Sequence, residues 1–208
     1  MKRLAFTLSE LLIALSVVGI VAILTVPNVS KNVYTKANIT KLETTMKSIN
    51  DAVKAMMVNE RVTDVADSTL ATDPLTFFNK YMLLTSNTGC AETTDCFVSS
   101  YKTISSDTTS ISDFQTAMQL TTATYVMLKT GAAVALLQDG SAGYFFVVDV
   151  NSTEKPNVVG RDLFALSLDP EQGTVYGGGA EEDDCKNGTY LGSPCVTILQ
   201  ENNWEMNY

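Results

Sequence analysis

Histidine is absent from the 208 residues of this sequence. Catalytic sites of the Ser-His-Asp or Cys-His type, and zinc sites that need an imidazole ligand, are therefore excluded. Basic residues are also scarce: 14 Lys and Arg stand against 23 Asp and Glu, which gives a formal net charge of −9. A surface of that sign repels phosphate backbones, so we expect no nucleic-acid partner. Since no pair of catalytic carboxylates can be recognised either, we expect no enzymatic activity.

Charge is almost missing from the start of the chain. Residues 6–26 contain a single charged side chain, Glu10, and follow a short leader with Lys2 and Arg3. As a helix, this apolar run would be about 30 Å long, which is the thickness of a bilayer core. A lone carboxylate in such a segment is costly and by default implies a partner.

Three interpretations of this N-terminal segment compete. A cleaved secretory signal needs an uninterrupted apolar core with a small-residue cleavage site after it, but here Ala5 precedes the run and Glu10 interrupts it. A plain signal anchor, with Lys2 and Arg3 holding its start in the cytoplasm, leaves Glu10 unexplained. The third interpretation rests on a motif.

The motif is Ala-Phe-Thr-Leu-Ser-Glu at residues 5–10, followed by the apolar run. It resembles the class III signal of type IV pilins and type II secretion pseudopilins, although Ala5 stands where the family usually has Gly. The resemblance implies that a membrane peptidase cuts between Ala5 and Phe6 and that Phe6 becomes N-methylated. It also implies that Glu10 neutralises the Phe6 amine of a neighbouring subunit during assembly.

The resemblance covers about 25 residues and implies a location and partners for the whole chain. We expect a single-pass inner-membrane protein that then enters an extracellular or periplasmic filament with itself or with related pilins. Its other partners would be the prepilin peptidase and the inner-membrane assembly machinery. Major pilin, minor pilin and secretion pseudopilin stay open. The alternative is a membrane-anchored extracytoplasmic binding module, adhesive or calcium-dependent.

Helical periodicity resumes after Pro27 and is predicted to end near residues 59–62. Apolar side chains recur with alternating spacings of three and four residues. They are Ile39, Leu42, Met46, Ile49, Val53 and Met56. This stripe predicts an amphipathic helix that packs on a globular domain.

The predicted strands come late in the chain, at residues 124–129, 132–138, 144–150 and 163–168, where β-branched and aromatic residues dominate. We therefore expect an α+β fold: a long N-terminal helix packed on a C-terminal antiparallel sheet of about four strands. The helix would have a membrane-spanning first half and an amphipathic second half. The predicted divisions are a leader (1–5), an assembly helix (6–27), its amphipathic continuation (28–62) and a globular domain (63–208).

Three shorter patterns lie between these elements. Asp73-Pro74 predicts a turn and a helix start. The Ser- and Thr-rich tract 103–112 predicts an exposed loop. The acidic run 181–184 is likewise predicted to be a solvated loop.

Four cysteines fall into two local pairs, Cys90 with Cys96 and Cys185 with Cys195. Four cysteines allow three pairings, of which proximity favours the local one. The spacings differ from those of zinc knuckles. Disulfides fit an oxidising, extracytoplasmic compartment.

One loop is a candidate binding site. Asp149 and Asn151 stand at the end of a predicted strand, and Asp162 follows after a Pro-Asn turn. Oxygen ligands in a turning loop are what calcium requires, but the EF-hand pattern is not met. The pattern favours a hydrogen-bonded loop, in which Asp162 or Asn157 binds backbone amides, over a calcium site formed by Asp149, Asn151 and Asp162.

Overall fold

A computed structural model describes residues 7–139 and 143–208, without the side chains of residues 24–32. The predicted cleavage and methylation site at Ala5 and Phe6 lies outside the described residues. The chain divides into two compact units, Met1–Ala37 and Asn38–Tyr208.

The fold is α+β, as the sequence predicted. The helices are α1 (Leu8–Glu60), α2 (Thr69–Thr72), α3 (Pro74–Tyr81), α4 (Ile111–Ala117), α5 (Glu182–Asn187) and α6 (Ser193–Glu201). The strands are β1 (Tyr101–Lys102), β2 (Thr108–Thr109), β3 (Thr122–Met127), β4 (Ala133–Gln138), β5 (Tyr144–Asp149), β6 (Leu163–Asp169) and β7 (Thr174–Tyr176). Short 3₁₀ turns are found at Val65–Asp67, Thr93–Asp95 and Thr189–Gly192.

Helix α1 begins with a capping box formed by Thr7 and Glu10. The Thr7 hydroxyl accepts a hydrogen bond from the Glu10 N–H at 3.3 Å, and the Thr7 N–H donates to Glu10 Oε2 at 2.8 Å. These reciprocal bonds satisfy amide groups that the first helical turn leaves without partners. The helix ends at Glu60, within the predicted window, because Arg61 adopts a left-handed conformation with φ of 57°.

The membrane-spanning part of the helix prediction is not supported. Among the residues that the structure describes, no helix has both the length and the hydropathy of a membrane span.

In the second unit, the predicted apolar stripe of α1 is buried. All six of its side chains, from Ile39 to Met56, are at most 5% exposed. They share one core with the inward-facing side chains of the sheet, among them Leu136, Phe146 and Phe164. The amphipathic prediction for this part of the helix is therefore confirmed.

The main sheet is antiparallel in the order β3-β4-β5-β6-β7. The prediction of about four strands missed β7, which has three residues and so carries almost no periodicity. Both faces of the sheet are covered: Val134 and Leu136 of β4 pack in the core with α1, whereas Ala135 and Leu137 pack in a second core with Phe97 and its neighbours. This explains why β4 reads as a continuous apolar run.

Two segments that were predicted to be loops contain secondary structure. The Ser- and Thr-rich tract contains strand β2 and also Ser110, which caps the start of α4. The Ser110 hydroxyl accepts a hydrogen bond from the Asp113 N–H at 3.1 Å. The acidic run forms the start of α5, where carboxylates interact favourably with the helix dipole. The helix predicted at Asp73-Pro74 is α3, capped by the Asp73 carboxylate.

Both local cysteine pairs form disulfides, Cys90–Cys96 and Cys185–Cys195. The second links α5 to α6 near the C-terminus. The favoured pairing is therefore confirmed.

Candidate functional site

The most unusual surface is the first part of α1, which we call the apolar segment (Leu8–Ile23). Its large apolar side chains are each at least half exposed, and they occur on every side of the helix. They are Leu8, Leu11, Leu12, Ile13, Leu15, Val17, Val18, Ile20, Val21 and Ile23. Contiguous apolar surface of this extent marks contact with another protein or with lipid.

Glu10 is the one acidic or basic residue of the apolar segment. Its Oε2 atom accepts from both the N–H and the hydroxyl of Thr7, each at 2.8 Å. The carboxylate is thus held at the first turn of the helix. This position is compatible with the predicted pairing to an amine.

The second candidate is the acidic loop (residues 149–162), which connects β5 to β6. Asp149 and Asp162 are both fully buried. Strand pairing brings them together, because Asp149 lies opposite Leu163 and the Val150 N–H donates to the Asp162 carbonyl oxygen at 2.9 Å. The structure therefore assembles the two carboxylates that the sequence selected.

Asp162 organises the turn that precedes it. Its Oδ2 atom accepts from the Asn157 N–H and its Oδ1 atom accepts from the Val158 N–H, each at 2.6 Å. Charge-assisted bonds of this kind are stronger than neutral ones. This is the turn, bound to backbone amides, that the sequence pattern favoured.

Asp149 and Asn151 are also engaged within the loop. Asp149 Oδ1 accepts from the Asn151 N–H at 3.1 Å, and the Asn151 side-chain amide donates to the Glu154 carbonyl oxygen at 2.8 Å. The Tyr101 hydroxyl donates to Asp149 Oδ2 at 2.6 Å.

Tyr101 is the residue of this site that sequence reasoning missed. Strand β1 runs beside the loop, since the Lys102 N–H donates to the Asn157 carbonyl oxygen at 3.1 Å and the Val159 N–H donates to the Lys102 carbonyl oxygen at 2.8 Å. This pairing positions Tyr101 over Asp149. The two residues are 48 positions apart, and no local pattern in the sequence signals a contact of that range.

Burial changes the titration of these groups. It raises the pKa of Asp149 to about 7 and the pKa of Asp162 to about 6, from ordinary values of 3.8. The neighbouring Asp162 also raises the pKa of Asp149, whereas the Tyr101 hydrogen bond lowers it. Burial and the Asp149 charge raise the pKa of the Tyr101 hydroxyl.

These shifts predict that the folded unit loses stability as the pH rises. A carboxyl with a raised folded-state pKa binds more protons in the folded than in the unfolded state, so its contribution is complete below about pH 4 and is lost towards pH 7. We expect the free energy of unfolding of residues 38–208 to fall by at least about 1 kcal/mol between pH 5 and pH 8.

Urea unfolding at a series of pH values measures this slope. Asp149→Asn should flatten it, because the amide does not titrate, and exposed Asp107→Asn should leave it unchanged. Stability that rises from pH 5 to pH 8 would contradict the assignment.

A metal ion was the other interpretation of the acidic loop. Within the described residues, no group of three or more His, Cys, Asp or Glu side chains is placed to hold a metal ion. Calcium binding by Asp149, Asn151 and Asp162 stays a prediction, and its test is combined with that of Asp162 below.

Comparisons with models of protein families, with curated proteins and with solved structures found no match for this chain.

Proposed function

We propose that this protein is a structural subunit of a type IV pilus or of a pilus-like secretion pseudopilus. It would assemble through its N-terminal apolar helix after leader cleavage before Phe6. The observation that carries the proposal is the apolar segment, in which ten large apolar side chains are exposed around one helix that begins at a single carboxylate.

The exposed area explains why a partner is needed. Each large side chain that is transferred from water to an apolar environment contributes about 1.5–3 kcal/mol. A helix with large apolar side chains on only one face can bury them against its own domain. In the apolar segment these side chains lie on every side of the helix, so one domain cannot cover them all. Lipid before assembly and identical helices after assembly both supply a continuous apolar environment.

In the proposed filament, the second unit (residues 38–208) forms the exposed surface. Residues 38–208 have their own core and two disulfides, both suited to an oxidising exterior. The whole chain carries a net charge of −9, and a charge of this size favours the solubility that a domain at a filament surface needs. Inner-membrane residence before assembly, the peptidase and the assembly machinery belong to the same proposal.

Shearing of filaments from cells that carry a pilus assembly system tests this function. We expect the parent chain in the sedimented filament fraction. We expect Val18→Asp to be excluded from that fraction, because it places a second charge among packed apolar helices.

The matched control is Ser112→Asp, which adds the same charge to an exposed position of α4. It should enter filaments like the parent. A parent chain found only as single subunits, or normal incorporation of Val18→Asp, would refute the proposal.

A further inference from the structure

A half-open cavity of about 340 Å³ lies in the second unit, on the sheet face opposite to the stripe of α1. Its floor is formed by Ala165 and Ser167 of β6, and its walls by α4 and the segment between α5 and α6. The volume is in the range of small-molecule sites, which are mostly apolar with a few polar groups.

Three aromatic side chains, Phe114, Phe145 and Tyr190, line the cavity. The rings of Phe114 and Phe145 meet edge to face, with their centroids 5.6 Å apart, and Met118 extends this surface. Tyr190 lines the mouth and is 56% exposed. Aromatic faces carry negative potential and attract cations.

Asp184 supplies the charge. Among the described residues that line the cavity, it alone carries a formal charge. It is half-buried on α5, and its Oδ1 atom accepts from the Thr189 hydroxyl at 3.2 Å. A carboxylate that lines the same cavity as aromatic rings is complementary to an ammonium group on an apolar body.

The backbone at the mouth supports a binding role. Tyr190 and Leu191 are consecutive non-glycine residues in the left-handed region, each with φ of 48°. Such conformations cost about 1–3 kcal/mol each and cluster at ligand sites. Here they place the Tyr190 side chain at the cavity, within the loop that the Cys185–Cys195 disulfide closes.

We propose that this cavity binds a small organic cation, namely a primary ammonium attached to a compact aromatic or aliphatic body. The apolar body occupies the space between Phe114, Phe145 and Met118, and the ammonium lies at Asp184. The residues that line the cavity all lie in the second unit, so this binding does not depend on filament formation.

Methyl NMR of the full chain in phospholipid nanodiscs tests the site, with the Met118 methyl group as reporter. The probes are 2-phenylethylamine, the neutral 2-phenylethanol and the anionic 3-phenylpropionate, which share one ring and differ in charge. We expect the amine to shift the Met118 signal with half-saturation at ~1–5 mM, as its size allows. The alcohol should bind about fivefold more weakly, and the anion more weakly still.

Two isosteric variants of α5 distinguish an effect of the Asp184 carboxylate from a general effect of negative charge on this helix. Asp184→Asn should weaken the amine about fivefold and leave the alcohol unchanged, because it removes only the charge. Asp183→Asn removes an exposed neighbour that does not line the cavity, and amine binding should stay at the parent level. Ser167→Leu should abolish binding of all probes by filling the floor.

No saturable shift with the amine would overturn the proposal. Equal affinity for amine and alcohol, or equal loss in the Asp183 and Asp184 variants, would also overturn it. Since the Asp variants change no volume, they keep the test valid even where Ser167→Leu does not fold.

Discussion

Glu10→Gln will lower filament yield to about one tenth of the parent level or less, although the protein will still insert into membranes. A carboxylate among packed apolar helices is stable only beside a cation, and the proposed cation is the Phe6 amine of a neighbouring subunit. Removal of the charge leaves that amine without a counter-charge inside the filament. Electron microscopy of sheared filaments and immunoblotting of the membrane fraction measure the two quantities.

Gln is chosen because the structure gives Glu10 a second role. Glu10 and Thr7 form the capping box of α1, and Gln also serves at this position of the box. Glu10→Gln therefore removes the charge and keeps the helix start, whereas Glu10→Ala removes both. The matched control is Ser16→Ala, whose hydroxyl donates to the Leu12 carbonyl oxygen at 2.8 Å, so the hydrogen bonds of the capping pair are kept. Normal filaments from Glu10→Gln would contradict charge pairing.

Asp162→Ala will destabilise the second unit by about 2–5 kcal/mol, the largest stability effect we expect outside the apolar core. Its two oxygens accept from the N–H groups of Asn157 and Val158 at 2.6 Å. Truncation leaves both donors without this partner in a half-buried turn, and each such loss costs about 1–3 kcal/mol. Thermal and urea unfolding of residues 38–208 measure the change.

Asp162→Asn should lie between the parent and Asp162→Ala, since its amide oxygen accepts one of the two bonds. Asp107→Ala, at an exposed carboxylate, should be close to neutral. A loss below about 0.5 kcal/mol in Asp162→Ala would contradict the proposed role of the turn.

The same unfolding experiments, repeated with added calcium, test the calcium site. If Asp149, Asn151 and Asp162 bind the ion, the melting temperature of the parent unit rises steadily with added calcium, and Asp162→Ala loses that response. Identical melting of the parent unit in chelator and in millimolar calcium would contradict the calcium site, and the loop would then be stabilised by its hydrogen bonds only.

Patterns of short range predicted most of the fold. The α1 stripe shows a helical period, and the four longer strands have six or seven residues each, which is long enough for their composition to identify them. Strand β7 is too short for such a signal. Helix α4 was missed because its residues favour loops by composition, although the Ser110 and Asp113 pair was a readable capping signal.

The candidate sites were predictable to different degrees. Asp149 and Asp162 could be selected because they flank one turn between two strands. Tyr101 and the cavity could not, since both depend on contacts between distant segments, such as β1 with the acidic loop and α4 with β5. Propensity and periodicity carry no information about contacts of that range.

Mass spectrometry of the mature N-terminus is the most direct test of the proposal that the chain is processed and assembled as a pilin. In a host with a prepilin peptidase, we expect the mature chain to begin at Phe6 and this Phe to carry one methyl group on its amine. An unprocessed N-terminus at Met1, or cleavage after the apolar segment, would contradict the proposed function.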